Sequence, residues 1–351
     1  MKIAILGAGI SGLCCAKTFD KFGIDYDIFE KKHKVGNYYE YAGSLIYLSN
    51  KPVKNPLKYI RNNCGIDIKP VSKIKTLIMK SYKNSVTVKG DLGYILHRGQ
   101  SGGSIESKLA STLNKKINFS TSIDYKKLIN LYDYTIIATG NTCITSEITE
   151  FENIVSTKIK GATVLGEFDI NTAQIWFNTD YARSGYAYLL PMSEKKASLI
   201  LVMTYTKEEN VEYMWNSFLI NEKLDYEIVE TYEGSINAGI AKDHKVGNVF
   251  LVGNAAGFLD PLLGVGIINA MKSGIYAAKS IALGTDFEKM VYSINNRIKK
   301  MSDYRKLING FENKGYDKLI RFLSMPLIRN FVYNKYFDPI KYIHPFINKN
   351  V

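Results

Sequence analysis

The sequence predicts an α/β protein in which a nucleotide-binding unit contains an inserted, mainly antiparallel sheet and is followed by a helical C-terminal region. Three observations support this fold class. The chain begins with a strand, a glycine-rich loop and a helix; short strand-like segments follow one another between residues 163 and 205; and a second glycine-rich turn near residue 253 opens a long helix. With 351 residues, the chain is long enough for two or three domains.

The composition is that of an ordinary globular protein, with 46% hydrophobic and 23% charged residues. It excludes disordered, collagen-like and disulfide-stapled classes. The formal net charge is +13, which favours polyanionic partners, whether nucleic acid, anionic lipid headgroups or phosphorylated substrates, and the charge alone does not choose among them. No apolar run reaches the roughly 18 residues that a membrane-spanning helix requires.

The cysteines and histidines indicate neither a metal site nor a disulfide framework, because no pair has metal-ligand spacing. We therefore predict no metal, and expect reduced, packing cysteines in a cytosolic protein. The residues concerned are Cys14, Cys15, Cys64 and Cys143, and His33, His97, His244 and His344.

The first motif is a candidate nucleotide site. An apolar strand at residues 2–6 leads into Gly7-Ala8-Gly9-Ile10-Ser11-Gly12 and then into a helix. In a GxGxxG loop the first glycine permits the tight turn, the second lets a pyrophosphate approach, and the third lets the helix pack on the strand. A second strand, residues 25–29, ends in Glu30, whose carboxylate has the position expected for binding ribose hydroxyls. Lys31 opens a basic stretch that fits either a solvated loop or a neighbour of the adenosine phosphates.

The middle of the chain departs from simple strand–helix alternation. Residues 74–88 predict a hairpin, Arg98 precedes a helix over residues 104–113, and an apolar strand at 134–138 opens onto Gly140. Strand-like segments then follow at residues 163–165, 174–177, 186–190 and 197–205. These segments predict the inserted antiparallel sheet.

The run from Asn248 to Gly274 is the most informative in the sequence. An apolar strand ends in Gly253-Asn254, and a second glycine-rich turn opens a long helix. A polar side chain at the strand end suits ribitol hydroxyls, and a helix N-terminus stabilises negative charge on a reduced flavin ring. Together with the N-terminal motif and the strand end at Gly140, this run resembles the two-dinucleotide-binding-domain flavoproteins, which implies a Rossmann-like FAD domain.

Within that group the sequence resembles the geranylgeranyl reductase family of FAD-dependent oxidoreductases, in the p-hydroxybenzoate hydroxylase-like superfamily. The family patterns are approximately GDAAGFxDPxxGxGI followed by AxxSG, and YxWxFP; residues 253–274 and 186–191 correspond to them. The resemblance covers residues 1–290 in order. It implies that FAD contacts Gly7, Gly9, Ser11, Gly12, Glu30, Lys31, Arg98, Gly140, Gly253, Asn254, Pro261, Gly264, Val265, Gly266 and Ile267. It implies a substrate pocket at Tyr186, Tyr188, Pro191 and Trp176, although alternating aromatic residues also fit a plain packed core.

The sequence departs from the family at three places. Asn254 stands where the family usually has aspartate, and its amide oxygen can still accept from a ribitol hydroxyl. Tyr188 replaces the tryptophan of YxWxFP, which alters the shape of the pocket. The family's Cys-Gly element is absent from residues 36–44, so no role of that cysteine carries over.

The domain boundaries follow from the motifs. We predict an FAD-binding domain from residues 1–50, 96–145 and 236–290, a substrate-binding sheet domain from 51–95 and 146–235, and a C-terminal helical region at 291–351. The mixed aromatic and lysine residues after Tyr333 suit either a membrane interface or a plain docking segment.

The resemblance implies a reductase that saturates C=C bonds of an isoprenoid (geranylgeranyl) chain, on a membrane lipid, with the flavin carrying the hydride and no catalytic side chain assigned. The alternatives are a flavin-dependent monooxygenase or halogenase, or a non-catalytic FAD-binding protein. The electron donor is NAD(P)H or a small carrier such as ferredoxin, since no second GxGxxG is present. We expect no nucleic-acid partner, and a cytoplasmic protein in peripheral contact with anionic membranes.

Overall fold

A computed structural model describes residues 1–334 and 336–341. Its strands form two sheets, a smaller one of five strands and a larger one of eight. The strands are β1 (Ile3–Leu6), β2 (Asp27–Phe29), β3 (Tyr41–Ile46), β4 (Ser72–Ser81), β5 (Ser85–Arg98), β6 (Tyr134–Ile137), β7 (Phe151–Leu165), β8 (Thr172–Phe177), β9 (Tyr186–Pro191), β10 (Lys196–Thr204), β11 (Glu227–Ala241), β12 (Lys245–Val246) and β13 (Val249–Leu251).

The helices pack around these sheets and dominate the C-terminal part. They are α1 (Ile10–Phe22), α2 (Pro56–Cys64), α3 (Ile105–Ala110), α4 (Tyr125–Leu131), α5 (Thr145–Ile148), α6 (Thr179–Ala182), α7 (Val211–Asn221), α8 (Ile267–Leu283), α9 (Phe287–Asn309), α10 (Asn313–Ser324) and α11 (Pro326–Val332). No helix of the described residues combines the length and hydropathy needed to cross a membrane.

The smaller sheet is the Rossmann-like centre that the sequence predicts. Its order is β12-β13-β6-β1-β2, and β1 pairs in parallel with both β2 and β6. All four residues of β1 are buried, as expected for a parallel strand covered on both faces. Helix α1 packs beside it through buried residues such as Leu13 and Phe19, and ends at Gly23 in the left-handed conformation. The carboxyl ends of β1, β6 and β13 therefore share one edge of the sheet.

The larger sheet has the order β11-β7-β10-β9-β8-β4-β5-β3 and is antiparallel except between β4 and β8. One side, here called the outer face, is covered by α7 through Met214, Trp215 and Phe218. The other side, the inner face, carries an apolar cluster that includes Met79, Leu190 and Ile320 of α10. Helix α10 thus closes part of the inner face.

The predicted hairpin and strands are present, because β4 and β5 pair around residues 82–84 and β8, β9 and β10 follow the expected segments. One expectation needs correction: strand β3 belongs to the larger sheet, although the sequence analysis places residues 41–46 in the FAD-binding domain. Arg98 precedes a helix as expected: it is the last residue of β5, and α3 begins at Ile105.

The cysteines are free thiols in the structure. Cys14, Cys15 and Cys64 are buried and Cys143 is exposed. The sulfur atoms of Cys14 and Cys64 lie 3.5 Å apart, a hydrogen-bond distance, and burial raises the pKa of the Cys14 thiol well above its usual value. They act as packing residues between α1 and α2.

Candidate functional site

The glycines of the first loop serve two different purposes. A Cβ on Gly7 or on Gly12 would overlap backbone atoms, of Ala138 and of Gly7 respectively, so both glycines are required by chain packing. A Cβ on Gly9 would meet nothing closer than the Ala138 oxygen at 3.9 Å. Gly9 is also the N-cap of α1, where no side chain caps the free N–H groups. The space beside Gly9 is therefore open and faces an uncapped helix N-terminus, as a pyrophosphate site requires.

Glu30 follows β2 and reaches back to the same loop. Its Oε2 accepts a hydrogen bond from the Ala8 amide at 2.8 Å, and its Oε1 accepts from the Lys32 amide at 3.0 Å. A carboxylate has about four acceptor positions, so each oxygen can still accept from a ribose hydroxyl. Lys31 is exposed to solvent, whereas the neighbouring Lys32 donates to the Gly36 carbonyl and the Asn37 side chain.

The second glycine-rich turn is held directly against the first. Gly253 has φ +63°, and a Cβ there would lie 2.7 Å from Ser11 Oγ. Its amide donates to Ser273 Oγ at 2.9 Å. A Cβ on Gly274 would overlap the Ser11 carbonyl, so α8 crosses α1 in direct backbone contact. The AxxSG pattern at residues 270–274 thus serves to join the two halves of the site.

Asn254 and the start of α8 lie side by side. The half-buried Asn254 places its Oδ1 3.4 Å from a Cβ built on Gly266, the N-cap of α8. No side chain caps this helix, so the amides at its start, beginning with Ile267, point toward the site without side-chain partners among the described residues. A neutral amide beside a positive helix end suits a ribitol hydroxyl and an electron-rich ring edge.

A buried carboxyl, that of Asp260, shapes the loop between Asn254 and the start of α8. Asp260 accepts hydrogen bonds from the Leu262 and Leu263 amides at 2.7 and 3.2 Å. Burial raises the pKa of Asp260 to about 6, partly opposed by those two backbone hydrogen bonds. The Asp260 backbone also pairs with Gly264 and Val265, which folds the loop over the buried Pro261. Gly264 is exposed at the tip, with φ +64°.

Arg98 and Gly140, two further predicted FAD contacts, lie at the end of β5 and after β6. Arg98 donates to Glu106 Oε1 through Nε and Nη2 at 2.9 and 2.7 Å, in a largely buried ion pair. Burial opposes the charge, but Glu106 outweighs it, so the pKa of Arg98 is raised. The guanidinium lies 5.5 Å from the centre of the Tyr41 ring. Gly140, with φ +76° and open space around its Cα, follows β6 at the sheet edge that carries Gly7.

Tyr186 and Tyr188 lie on the inner face, and Tyr186 reaches the second FAD motif. Tyr186 donates from its hydroxyl to the Leu263 carbonyl at 2.5 Å, and the same hydroxyl is 3.3 Å from a Cβ built on Gly264. The two tyrosine rings are 6.0 Å apart. Burial raises the pKa of both tyrosines, so their hydroxyls are neutral donors at physiological pH. The substrate sheet and the second FAD motif therefore meet at Tyr186.

Trp176 does not line the same surface, which corrects the predicted pocket. It pairs in register with Ala187, so its side chain points to the outer face. There it is 1% exposed and packs against Phe218 of α7, with ring centres 5.6 Å apart. Pro191 shares the outer face with Ala187 by strand alternation. The alternating aromatic pattern could not distinguish these two faces.

The inner face contains aromatic residues that the sequence analysis missed. Tyr232 of β11 lies across Gly161, and in register the row continues through Ile200 to Tyr188. The Tyr232 hydroxyl is buried and has no hydrogen-bond partner among the described residues. Tyr39 stacks on Tyr232 at 5.0 Å. The pairing of Gly161 with Tyr232 in neighbouring strands is the signal of this surface. It is visible only when the strand register is known.

The residues at the sheet edge fit FAD. Gly9 leaves open space at an uncapped helix N-terminus, Glu30 has acceptor positions left, and the Asn254 side chain makes no hydrogen bond to any described residue although it is half-buried. These three features lie where a dinucleotide's pyrophosphate, ribose and ribitol would meet the carboxyl ends of parallel strands. Arg98 pairs with Glu106, Pro261 is buried and Lys31 is exposed, and their predicted contacts with FAD remain predictions.

Comparisons with known proteins agree with this geometry. The NAD(P)-binding Rossmann-like domain family matches residues 5–48. The digeranylgeranylglycerophospholipid reductase of Methanocella arvoryzae is 24% identical over 310 residues, which cover 80% of this chain and 77% of the relative. Digeranylgeranylglycerophospholipid reductase 2 of Methanosphaera stadtmanae is 25% identical over 350 residues, covering 90% and 85% of the two chains.

Solved structures show the same fold over the whole chain. A geranylgeranyl bacteriochlorophyll reductase-like protein from Thermoplasma acidophilum aligns with a TM-score of 0.75 at 15% identity, covering 99% of this chain and 98% of the other. A flavin-dependent brominase aligns with a TM-score of 0.67 at 15% identity, covering 100% and 99%. The chain therefore has the flavoprotein fold that these proteins share, and its resemblance to the geranylgeranyl reductase family is confirmed.

Proposed function

We propose that this protein is an FAD-dependent reductase that saturates C=C bonds in an isoprenoid chain carried by a membrane lipid. The observation that carries the proposal is the junction at Tyr186. Its ring belongs to the apolar inner face, while its hydroxyl bonds to Leu263, in the loop that precedes α8. A hydrocarbon chain lying along the inner face would thus reach the FAD motifs. The names of the relatives support the same reaction.

The protein's own residues bind, orient and exclude water. Gly9 and the start of α1 would hold the pyrophosphate, Glu30 the adenosine ribose, and Asn254 with the start of α8 the ribitol and ring. Bound FAD supplies the hydride that one alkene carbon must accept. The inner-face row that contains Ile200, Tyr188 and Met79 has no charged side chain of its own, so it offers an apolar surface to the chain, while the charged Arg98 and Arg305 lie near Tyr188 and Tyr186.

A stoichiometric reaction tests this proposal. Flavin-loaded protein is reduced without oxygen, mixed with digeranylgeranylglycerophospholipid, and followed by flavin absorbance and lipid mass. We expect reoxidation of the flavin together with the gain of one pair of hydrogen atoms for each reduced bond. Uptake of oxygen or halide under air, with no reaction under anaerobic conditions, would instead support the monooxygenase or halogenase. A flavin that stays reduced with every lipid would support a non-catalytic binding protein.

A matched pair of tyrosine variants tests the junction itself. Tyr186→Phe removes the hydrogen bond to Leu263, worth about 1 kcal/mol, and should slow lipid-dependent flavin reoxidation by roughly fivefold. Tyr188→Phe makes the same chemical change on the same strand and face, but its hydroxyl makes no hydrogen bond to a described residue, so its rate should stay near that of the wild type. Equal effects of both variants would contradict a special role for Tyr186.

We infer that the electron donor is NAD(P)H or a small iron–sulfur carrier, because the site above accommodates one dinucleotide. The two donors are separated by flavin bleaching under anaerobic conditions. Reduction within seconds by NADH or NADPH would identify the nicotinamide. Bleaching only by reduced ferredoxin would identify the carrier protein.

We also infer that the protein associates peripherally with anionic membranes. The net charge of +13 and the lipid substrate proposed above support this. The aromatic and lysine-rich tail to which the sequence analysis pointed lies partly outside the described residues, at 335 and 342–346. Salt-sensitive co-sedimentation with anionic but not neutral vesicles is the expected result, because screening weakens the attraction.

A further inference from the structure

Helices α10 and α11 expose a group of large apolar side chains, here called the C-terminal apolar surface: Phe322, Met325, Leu327 and Phe331. They are 48%, 54%, 76% and 55% exposed, and all lie within ten residues of sequence. Single exposed apolar residues are normal on soluble proteins, but a concentration of this kind marks an interaction site.

From residue 313 onward, the exposed charged side chains of the described segment are of one sign, and the exposed Glu312, the N-cap of α10, lies just before it. Lys314, Lys318 and Arg321 repeat at helical spacing along the exposed side of α10. The two acidic residues between positions 313 and 341 are both engaged. Asp317 is buried and accepts hydrogen bonds from Ser81 and Lys83, and Asp338 pairs with Arg297 at 2.7 Å. The described part of this segment therefore presents apolar tips surrounded by cations, with no exposed carboxylate.

The opposite side of the same helices forms a wall of the inner face. Tyr316 of α10 stacks on Phe177 with ring centres 5.4 Å apart, and Ile320 is fully buried in the inner cluster. Beyond α11, the Tyr333 hydroxyl lies 3.5 Å from the Met79 sulfur. Helices α10 and α11 therefore lie between the inner face, which is the proposed substrate surface, and the exposed apolar side chains.

We propose that α10 and α11 dock in the plane of an anionic lipid bilayer, with the C-terminal apolar surface inserted among the headgroups and acyl chains. A bilayer matches both features, because anionic headgroups attract the basic side chains while the apolar tips leave water. A second copy of the chain would bring the same positive charge to the contact and be repelled. The proposal rests on the proposed function in one respect only: the docked bilayer would be the source of the lipid substrate.

Vesicle flotation tests the apolar contribution. At low salt, the wild-type protein should bind vesicles that contain phosphatidylcholine and phosphatidylglycerol. It should bind much more weakly to vesicles of phosphatidylcholine alone. Leu327→Ser/Phe331→Ser should lower the partition coefficient by about tenfold or more, since two large side chains no longer leave water. Tyr213→Ser/Ile220→Ser is the matched control, because these residues are 70% and 75% exposed on α7, which covers the outer face. It should bind like the wild type.

A second pair of variants tests the charges. Lys314→Gln/Lys318→Gln should weaken binding to anionic vesicles several-fold and reduce its dependence on salt. Lys108→Gln/Lys116→Gln makes the same change in net charge at two exposed lysines near α3 and should have a smaller effect. Equal losses in the two pairs would mean that net charge alone governs binding, and would overturn the proposed surface.

A probe at the surface gives an independent readout. Cys143 is the exposed cysteine, so Leu327→Cys in a Cys143→Ser background accepts an environment-sensitive dye at position 327. Its fluorescence should shift to the blue and rise when anionic vesicles are added. An unchanged spectrum with bound protein would overturn insertion, and a concentration-dependent dimer abolished by Leu327→Ser/Phe331→Ser would assign the surface to a second copy.

The outcome is separable from that of the reductase proposal. Vesicle binding requires no turnover, so it remains informative if no lipid is reduced. Conversely, the variant Leu327→Ser/Phe331→Ser should catalyse the reduction of detergent-dispersed lipid as fast as the wild type. It should lose activity only on lipid in vesicles. Loss of activity in both settings would show that the variant damages the inner face instead.

Discussion

The two glycine-rich loops of the FAD site differ in what holds them. The first loop, residues 7–12, has one contact within itself, because Gly12 packs against Gly7, and one from outside, because Gly7 packs against the Ala138 backbone after β6. The second, residues 253–266, is held from outside: Ser11 of α1 crowds Gly253, and Tyr186 of the inserted sheet bonds to Leu263. Within this second loop, the buried Asp260 carboxyl accepts hydrogen bonds from the Leu262 and Leu263 amides.

This difference explains why only the first loop could be derived from local sequence. A strand, three spaced glycines and a helix specify one backbone path, so the pattern alone predicts the geometry. The second loop needs contacts from residues about 240 positions away, such as Ser11 against Gly253. The second loop is identified through its resemblance to a family. The family motif contains Gly253, which makes this contact, but the motif alone does not show that Ser11 is the partner.

The largest effect is expected from Gly12→Ala. Its Cβ would overlap the Gly7 carbonyl, so α1 must move away from β1, and unfolding should become easier by more than about 3 kcal/mol. Gly9→Ala is the matched control in the same loop, with φ −79° and no close neighbour. Urea unfolding of both variants measures the difference. Similar destabilisation by the two substitutions would refute the distinction between structural and ligand-facing glycines.

A second variant separates binding from stability. Gly9→Val fills the open space beside the N-terminus of α1 and should abolish flavin binding while the midpoint of thermal unfolding stays near that of the apoprotein. Absorbance of the purified protein and differential scanning fluorimetry measure the two quantities. Gly102→Val, at an exposed glycine with no neighbour within 4 Å, should keep its flavin. Purified wild-type protein that cannot be loaded with FAD would overturn the whole assignment.

The fold was predictable where the pattern is local. The hairpin of β4 and β5, strand β6 and helix α3 follow from hydrophobic periodicity and capping, for example by Ser104 at the start of α3. The two faces of the larger sheet were not predictable, because assigning Trp176 to the outer face and Tyr188 to the inner face requires the β8–β9 register. Likewise, the pairing of Arg98 with Glu106 depends on how β5 meets α3.

The pH dependence of stability tests the role of the buried Asp260 carboxyl. Burial raises its pKa in the folded protein to about 6, above the usual value near 3.9, so the folded state holds this proton more tightly than the unfolded state. The free energy of unfolding should therefore fall as pH rises from about 4 to about 6, by on the order of 1–3 kcal/mol from this group, and stay level above that window.

Asp260→Asn keeps an oxygen acceptor for the Leu262 and Leu263 amides but cannot ionise. Its stability should lack that fall, which chemical unfolding at several pH values between 4 and 7 will measure. Asp67→Asn is the control, because that carboxylate is exposed and pairs with Arg61 at the surface. Parallel pH profiles for Asp260→Asn and the wild type would mean that the pKa of the Asp260 carboxyl is the same in the folded and unfolded protein.

The smallest effect is expected from Asn254→Asp. Asn254 lies beside the uncapped start of α8, where a carboxylate is favoured by a few tenths to 1 kcal/mol, and either residue offers an oxygen to a ribitol hydroxyl. The variant should therefore retain FAD, with a lower reduction potential because a negative charge now lies near the ring. Asn254→Leu has a similar volume but no acceptor, and should bind FAD roughly tenfold more weakly. Flavin titration and a potentiometric measurement separate these outcomes. Loss of flavin from Asn254→Asp would show that the ribitol lies elsewhere, and that the second loop is held for a structural purpose only.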